Sequence, residues 1–396
     1  MKSLVVVAPE QLHRKGIEIL GHVDAGGKRL HLGQLDFAQP EFDRKSPANR
    51  EHVLLRVRAF ACNFRDKGIL MDNYLQMNRL GKSYLPFGSD FCAEVVAVGS
   101  HVTAFRVGDR VMGDFAYPKA PAPGLMPGVA TNFASLGWLK IHAAKLTAVP
   151  PEMSDQQAAA FALGAQTAAG MIRRSGILES GGNPVILSAR SATSLFIAQQ
   201  LIGHGFRPHC LSSSEWSSEQ LQALPGATTG VLRPGIFPAQ TDHSKFTHVF
   251  DPFFDMNLEA ATLLLANGGT YVTCGLRDQH PLLSDSTPEE SGVSLRRALT
   301  MAVLKNLSVK GNCLGESSDL AEALGAFCDT GHRFGFQTPG GSRFPCRQLL
   351  QSRSVRQVCH DPRIGRSRGG HDSPDRGLGD CNRVMTNLPM NQSVMF

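Results

Sequence analysis

The chain has 396 residues, enough for two domains, and its 42% hydrophobic and 19% charged residues are typical of a globular protein. Its apolar runs are all shorter than the roughly 20 residues that a membrane-spanning helix needs. The apolar start, Leu4–Val7, has no small-residue cleavage site after it, so we interpret it as a first strand and not as a signal peptide.

The net charge of +6 is unevenly distributed. Residues 1–330 hold 30 basic and 30 acidic residues, whereas residues 331–396 hold ten arginines, no lysine and four aspartates. A nucleic-acid-binding face needs basic residues clustered on the folded body, so we expect no nucleic-acid partner. The nine cysteines are scattered with no CxxC pair, which predicts thiols in a reducing cytoplasm.

The predicted elements change character near residue 150. Before it, short strands and turns with little helical periodicity dominate, including a strand at His52–Arg58. After it, Ser154 predicts the N-cap of a helix running to about Arg173, and strands then alternate with helices. We predict strands at 184–188, 209–211, 248–251, 270–274 and 307–309, and helices at 193–203, 217–224 and 257–266, the last ending at a C-cap signal in 267–269. This alternation predicts a doubly wound parallel sheet.

Five short motifs occur in an order and spacing that resemble one enzyme family. They are NFRD (63–66), GSDF (88–91), GDRVMG (108–113), VFDPFFD (249–255) and NGGTYVTCGL (267–276). Together they resemble the medium-chain dehydrogenase/reductase superfamily, in its zinc-free quinone oxidoreductase and enoyl reductase branch. The resemblance implies an α/β fold with a GroES-like, β-rich catalytic domain at 1–150 and a Rossmann cofactor domain, a doubly wound parallel sheet, at 151–315. Residues 316–335 would return towards the catalytic domain, and 336–396 form an Arg-rich tail of atypical composition.

The positions at which zinc enzymes of this superfamily carry metal ligands are occupied by other residues here. Asn63 stands where those enzymes have Cys, and Ser89 stands where they have His. No cysteine occurs between residues 110 and 135, where a structural zinc lobe would need four. We therefore predict no metal.

A strand, a turn of small residues and a helix N-terminus predict a dinucleotide site at Ser188–Ser194. Ser188, Ser191, Ala192 and Ser194 stand at the glycine positions of the family loop. The second strand runs into Ser212–Ser214 with no acidic residue before Glu215, and Arg190 is within reach of a 2′-phosphate, which favours NADP over NAD. The cofactor-binding residues that we predict are Asn63, Thr167, Ser188, Arg190, Ser191, Ala192, Thr193, Ser212, Ser213, Asp251, Pro252, Cys274, Gly275, Leu276, Asn312 and Leu314.

The expected reaction is a zinc-independent, NADPH-dependent reduction of an activated C=C bond, in an enone or enoyl thioester, or of a quinone. Conjugate hydride transfer needs a donor for the oxyanion and a source of a proton. The predicted catalytic residues are Asn63, which positions the nicotinamide or the substrate carbonyl, and Tyr74, which lines the site or donates the proton that water could equally supply. We expect Asn63, Thr167, Ser191 and Asn312 to line one cleft around a small-molecule substrate.

Two further expectations concern the whole chain. The alternative function is a non-catalytic relative that keeps the fold, as lens crystallins of this family do, and a homodimer is the expected assembly. The tail composition is typical of disorder, of a shifted reading frame, or of a basic binding segment, and these three interpretations stay open.

Overall fold

The computed structural model describes residues 1–25, 27–222, 224–233, 246–276 and 294–329. These residues form two compact units: residues 1–112 with 131–149, and residues 113–130 with the described part from 150 onwards. In the described ranges, every helix is too short or too polar to cross a membrane. The expectations for residues 331–396 fall outside the described residues.

The first unit is built from two mostly antiparallel sheets. Its elements are β1 (Lys2–Val7), β2 (Glu18–Ala25), β3 (Lys28–Asp36), β4 (His52–Ala61), α1 (Asp66–Leu80), β5 (Tyr84–Pro86), β6 (Asp90–Val98), β7 (Arg110–Gly113), β8 (Trp138–His142) and β9 (Leu146–Ala148), with 3-10 turns at Pro9–Gln11, Ala134–Leu136 and Ala143–Lys145. One sheet has the order β2-β3-β1-β5 and the other β8-β4-β6-β7-β9. The predicted β-rich first domain is therefore confirmed.

Strand β4 shows why this unit forms sheets. Val53 and Leu55 are completely buried, whereas Arg56 and Arg58 face out and both bind Glu94 of β6, at 2.8 and 2.9 Å. Alternating apolar and charged residues give a strand one buried and one solvated face.

Helix α1 corrects the expectation of little helix before residue 150. It spans 15 residues and buries Leu70, Met71 and Met77, whose spacing puts them on one side of a helix. Gly68 and Asn73 have low helix propensity, so the sequence signal is weak even though the good N-cap residues Asn63 and Asp66 precede the apolar residues. Tertiary burial of one apolar side stabilises the helix instead.

The second unit is a parallel sheet with helices on both faces. Its elements are α2 (Asp155–Ala159), α3 (Ala162–Ser175), α4 (Ile177–Ser180), β10 (Pro184–Ile186), α5 (Ala192–Gly203), β11 (His209–Ser212), α6 (Ser218–Gln222), β12 (Thr228–Val231), β13 (Phe246–Asp251), α7 (Phe254–Leu264), β14 (Leu265–Thr273), α8 (Leu295–Leu304), β15 (Ser308–Gly311) and α9 (Ser317–Asp329). The strand order is β12-β11-β10-β13-β14-β15, with every pair parallel. The predicted doubly wound sheet is confirmed.

Two predicted helix boundaries in this unit are wrong. The helix expected from Ser154 to Arg173 is two helices, because the backbone leaves helical geometry at Ala160 (φ −109°, ψ 6°), and Phe161 then packs edge-on against Phe196 and Phe327. Ser154 does cap α2, in a reciprocal capping box with Gln157.

The C-cap expected at 267–269 is the second wrong boundary, since these residues belong to β14. Helix α7 ends earlier, at Leu264, because the Lys305 ammonium donates hydrogen bonds to the carbonyls of Thr262, Leu263 and Leu265. The C-terminus of α7 is therefore capped by a lysine distant in sequence, and not by a local glycine as expected.

The segment 113–130 belongs to the second unit although it lies between two pieces of the first in sequence. Asp114 accepts hydrogen bonds from Gln166 of α3 and from Ser317 of α9, at 2.8 and 2.6 Å. The backbone N–H of Tyr117 donates to the carbonyl of Gly315. Helix α9, the described part of the segment predicted to return towards the first domain, packs against α3 and α5.

Candidate active site

A sharp turn joins β10 to α5 at the predicted phosphate-binding position. Ser188 has a φ of 45°, a left-handed conformation that glycine adopts freely and serine rarely. Ser191 is the N-cap of α5, and its Oγ accepts a hydrogen bond from the Ser194 N–H at 3.3 Å. The amides of Ala192 and Thr193, in the first turn, have no partner within the helix and are of the kind that bind anions. The turn therefore joins a strand to a helix N-terminus through small residues, with a left-handed backbone at Ser188.

Arg190 extends from this turn to the loop after β11. Its Nη2 donates to Ser214 Oγ at 2.6 Å, and its Nη1 lies 3.5 Å from the carbonyl of Glu215. Ser212 is buried and its hydroxyl donates to the carbonyl of Ser214, whereas Ser213 is exposed. The guanidinium and the exposed serine thus lie on the strand end where an NAD site carries its acid.

Asp251, at the end of β13, is fully buried in a hydrogen-bond network. It accepts from Tyr271 Oη at 2.6 Å, Asn257 Nδ2 at 2.8 Å and the Phe253 N–H at 2.9 Å. Asn257 Nδ2 also donates to Ser188 Oγ at 3.2 Å. Burial raises the pKa of the Asp251 carboxyl to about 6. The side chain predicted as a cofactor contact is therefore engaged within the protein, and it reaches the cofactor turn through Asn257.

The other predicted strand-end residues lie beside Asp251. The Cys274 N–H donates to the Asp251 carbonyl at 3.3 Å, and the Gly275 carbonyl accepts from the backbone of α7. Pro252 is buried and Leu276 is exposed. Burial raises the pKa of the Cys274 thiol to about 12, so this thiol stays protonated at neutral pH and has a packing role.

Asn312 and Leu314, two of the predicted cofactor-binding residues, lie against α3. Asn312 Nδ2 donates to the carbonyl of Leu314 at 2.7 Å and lies 3.5 Å from the carbonyl of Thr167. Leu314 has a φ of 56°, and a side chain at Gly170 would come within 2.7 Å of the Leu314 carbonyl. This close approach brings Thr167, Asn312 and Leu314 together at the end of β14, where the Asn312 N–H donates to Thr273.

In the first unit, the NFRD motif surrounds a buried carboxyl. Asp66 accepts from the Asn63 N–H at 2.7 Å and from the Ser89 hydroxyl at 2.9 Å. Burial raises the pKa of the Asp66 carboxyl to about 6, while Arg65, 3.8 Å away, lowers it. Asn63 Nδ2 is buried and has no hydrogen-bond partner among the residues that the structure describes. This amide is a donor held without an acceptor.

The two positions that the family resemblance matched to zinc ligands carry an amide and a hydroxyl side chain here. Asn63 and Ser89 both bind Asp66, and amide and hydroxyl groups are poor zinc ligands. Within the described ranges, no group of three His, Cys, Asp or Glu side chains is arranged to hold a metal ion. The residues present therefore do not fit a catalytic zinc.

Tyr74 lies partly buried on α1, more than two helical turns after Asp66.

The second unit brings several predicted residues to the carboxyl ends of the strands of one sheet: the turn at Ser188, Arg190, the Asp251 network and the Asn312 segment. Asn63 and Tyr74 belong to the first unit, and the expected common cleft stays a prediction. Sequence reasoning missed the roles of Asn257 and Tyr271, although Tyr271 lies within the 267–276 motif, because their contacts with Asp251 arise from tertiary packing.

Part of the chain matches a known domain family and a curated relative. Residues 49–138 match the alcohol dehydrogenase GroES-like domain. A quinone oxidoreductase of Pseudomonas aeruginosa is 31% identical over 172 residues, which is 41% of this chain and 46% of that protein. The matched region thus spans about half the length of this relative.

Solved structures share the fold at low identity. An NAD-dependent alcohol dehydrogenase has a TM-score of 0.59 at 20% identity, covering 80% of this chain and 89% of its own. A 2-octenoyl-CoA carboxylase reductase, CinF, solved in complex with NADP and 2-octenoyl-CoA, has a TM-score of 0.57 at 19% identity, covering 82% and 79%. Both the GroES-like unit and the parallel-sheet unit therefore have known counterparts in one fold.

Proposed function

Because this chain belongs to the medium-chain dehydrogenase/reductase superfamily, we propose that it is an NADPH-dependent, zinc-independent reductase of an activated C=C bond or of a quinone. The observation that carries the cofactor assignment is the contact of Arg190 with Ser214 beyond β11. A guanidinium stands there in place of the acid that reads an NAD ribose. The quinone oxidoreductase relative and the CinF neighbour support the substrate class.

The residues that would hold the cofactor are spread along the carboxyl edge of the parallel sheet. The amides of Ala192 and Thr193 would receive the pyrophosphate, and Arg190 with Ser213 would receive the 2′-phosphate. Thr167, Asn312 and Leu314 would flank the nicotinamide. When bound, the reduced nicotinamide supplies a hydride.

The chain's own residues supply a hydrogen-bond donor for the oxyanion and a candidate source of the proton. Hydride addition to the β-carbon of an enone moves negative charge onto the carbonyl oxygen, where a positioned N–H stabilises it. Asn63 Nδ2 is buried with no acceptor among the described residues, as such a donor must be before substrate binds. A proton then reaches the α-carbon, or the oxygen of a quinone, from water or from Tyr74. No Lewis acid is needed, which agrees with the poor fit of Asn63 and Ser89 to zinc.

The cellular setting follows from the same proposal. The six cysteines in the described ranges are thiols and form no disulfide. This suits a reducing compartment, and we propose the cytoplasm, a small-molecule substrate and no nucleic-acid partner. The second candidate function, a non-catalytic crystallin-like relative, is favoured by one observation: Ser188 replaces the loop glycine and has a strained φ of 45°.

NADPH oxidation separates the two candidate functions. The full-length protein should bind NADPH and oxidise it with at least one member of a panel of quinones, enones and enoyl thioesters. Elemental analysis should find no stoichiometric zinc, and a chelator should leave the rate unchanged. Binding without oxidation by any acceptor would favour the crystallin-like relative, and no binding of either nicotinamide would contradict the reductase.

Replacing Arg190 by Gln tests the choice of cofactor. A charge-assisted hydrogen bond contributes about 1.5–3 kcal/mol, so the Kd for NADPH should rise by about tenfold or more while that for NADH stays nearly constant. Calorimetric titration measures both constants. Arg207→Gln is the matched control, because Arg207 is exposed and precedes β11, at the opposite edge of the sheet. Equal losses for NADPH and NADH would remove the 2′-phosphate assignment.

A further inference from the structure

Asn257 connects two neighbouring strands at the edge where the cofactor turn lies. Strands β10 and β13 pair in parallel, with Ile186 opposite Phe250. Asn257, in the first turn of α7, donates to Oδ1 of Asp251, the last residue of β13, and to Oγ of Ser188, which lies just beyond β10. Its single amide nitrogen thus spans the gap between the two strand ends.

The hydrogen atoms in this network can be assigned from chemistry alone. An ionised Asp251 only accepts, so the Tyr271 hydroxyl, the Phe253 amide and the Asn257 amide must all donate to it. The Asn257 NH2 group has two hydrogens, and its second one goes to Ser188 Oγ. Ser188 Oγ is therefore an acceptor in this contact, and its own proton must be donated elsewhere.

That proton has no recipient within the described protein. Ser188 Oγ has one hydrogen-bond partner there, Asn257, and the Ser188 side chain is partly exposed. The serine backbone is held at a φ of 45°, in the turn before α5. Strained backbone of this kind persists where the surroundings fix it, and it is common at ligand clamps. Here the surroundings include a buried carboxyl that orients the amide.

We propose that the Ser188 hydroxyl donates a hydrogen bond to a phosphate oxygen of the dinucleotide, and that Asn257 is a positioning residue that directs this proton outward. The chain from Tyr271 through Asp251 and Asn257 to Ser188 fixes the direction of every donor. Serine would then supply a direct contact that the glycine of a typical dinucleotide loop cannot make. The inference rests on the proposed function, since it requires that a nicotinamide dinucleotide binds.

Two substitutions at Ser188 separate the hydroxyl from the backbone. Ser188→Ala keeps the side-chain carbon and removes the hydroxyl, whereas Ser188→Gly removes the hydroxyl and also relieves the positive φ. Both should raise the Kd for NADPH by about tenfold, as for one hydrogen bond to a charged oxygen. Ser188→Gly should at the same time raise the thermal midpoint. NADPH affinity equal to or better than that of the parent in Ser188→Gly would overturn the proposal.

Asn257 is tested by coupling and by a cofactor fragment. Asn257→Leu should raise the Kd for NADPH by a similar factor. The double variant Asn257→Leu and Ser188→Ala should bind NADPH no more weakly than either single variant. Adenosine 2′-monophosphate, which lacks the pyrophosphate, should bind all these variants like the parent. Additive losses, or an equal loss for the fragment, would show a general structural effect and overturn the proposal.

Tyr271→Phe provides a second variant if Asn257→Leu does not fold. It removes the Tyr271 hydroxyl, the first donor in this chain of hydrogen bonds. The Kd for NADPH should therefore rise, while the Kd for adenosine 2′-monophosphate should stay the same. Unchanged NADPH affinity in this variant and in Ser188→Ala would refute the proposal while leaving the reductase intact. Failure of the parent itself to bind NADPH would instead refute the proposed function.

Discussion

Asn63 has a buried amide nitrogen that finds no acceptor among the described residues. An orphaned buried donor costs about 1–3 kcal/mol, and such a cost is commonly met where a ligand supplies the missing partner. The backbone of Asn63 is meanwhile fixed by Asp66, and Asp66 by Ser89. Asn63 therefore has two candidate roles: it forms the turn, or its amide donates a hydrogen bond to the substrate.

Two substitutions of Asn63 distinguish these roles. Aspartate is also a good turn former but has no N–H, and leucine is neither. If the amide stabilises the oxyanion, both Asn63→Asp and Asn63→Leu should lower kcat/KM by about 100-fold, the usual effect of removing one such donor. Stopped-flow NADPH oxidation with the best acceptor measures this. Near-normal activity in Asn63→Asp with loss only in Asn63→Leu would assign Asn63 to the turn.

The buried carboxyls of Asp66 and Asp251 predict a pH dependence of stability. Burial raises the pKa of each from 3.8 to about 6, so the folded state binds protons more tightly than the unfolded state. Their contribution to the free energy of unfolding is greatest below pH 3.8 and falls as the pH rises to about 6, by ~1.4 kcal/mol per pKa unit. Urea unfolding from pH 4 to pH 7 should show a flatter profile for Asp66→Asn than for the parent. Asp36→Asn, at an exposed site, is the control, and parallel profiles for all three proteins would contradict the assignment.

The sequence placed several candidate residues at strand ends but did not define their contacts. The positions of Ser188 and Arg190 follow from strand–turn–helix spacing, which fixes where a parallel strand ends, whereas Asn312 was expected from the family resemblance. The engagement of Asp251 within the protein depends on Asn257 and Tyr271, which approach from other elements. Such tertiary hydrogen bonds leave no periodic signal in the sequence, so they could not be predicted.

At the scale of elements, long-range capping decides where helices end. Lys305 follows α8 and donates to three carbonyls in the last turn of α7 and just after it, at 2.7–3.1 Å. A cation at a helix C-terminus also interacts favourably with the helix dipole. The glycines at 268 and 269 suggested a local cap, and the sequence contained no indication that a lysine about 40 residues away would take over this role. Propensity therefore identified α7 as a helix but missed its end.

Replacing Lys305 by Met should destabilise the second unit. Methionine keeps the aliphatic length and removes the donors, leaving three carbonyls with weaker partners. We expect the free energy of unfolding to fall by about 1–3 kcal/mol, as for hydrogen bonds to a charged group. Denaturant unfolding measures the change, with Lys119→Met as an exposed control. Equal stability of the two variants would mean that water satisfies the carbonyls equally well.

At the scale of the whole molecule, an apolar surface lies at one edge of the parallel sheet. Among the described residues, β15 pairs on one side only, with β14. Val303 and Leu299 on α8 are 77% and 57% exposed, and Val309 on β15 is 48% exposed. Exposed apolar side chains beside an unpaired strand edge favour association between proteins. We propose that a second copy of this chain covers the apolar surface formed by α8 and β15.

Charge at this surface should dissociate the dimer. The double variant Val303→Glu and Val309→Glu should sediment as a monomer at concentrations where the parent is a dimer, and it should still bind NADPH. Val107→Glu is the matched control, since Val107 is 66% exposed but lies in the first unit. Sedimentation velocity measures the species. A monomeric parent, or a dimeric double variant, would contradict the proposed interface.

The position of segment 113–130 also has a consequence for how the chain acquires its structure during synthesis. Asp114 needs Gln166 and Ser317, and Tyr117 needs Gly315, so this segment finds its last partners about 200 residues after it leaves the ribosome. The described residues of the first unit, by contrast, all precede position 150. Closing so long a loop is slow compared with local folding. Segment 113–130 is therefore synthesised before residues 131–149 but reaches its folded contacts after them. A nascent chain stalled before residue 317 would leave this segment accessible to proteases or chaperones.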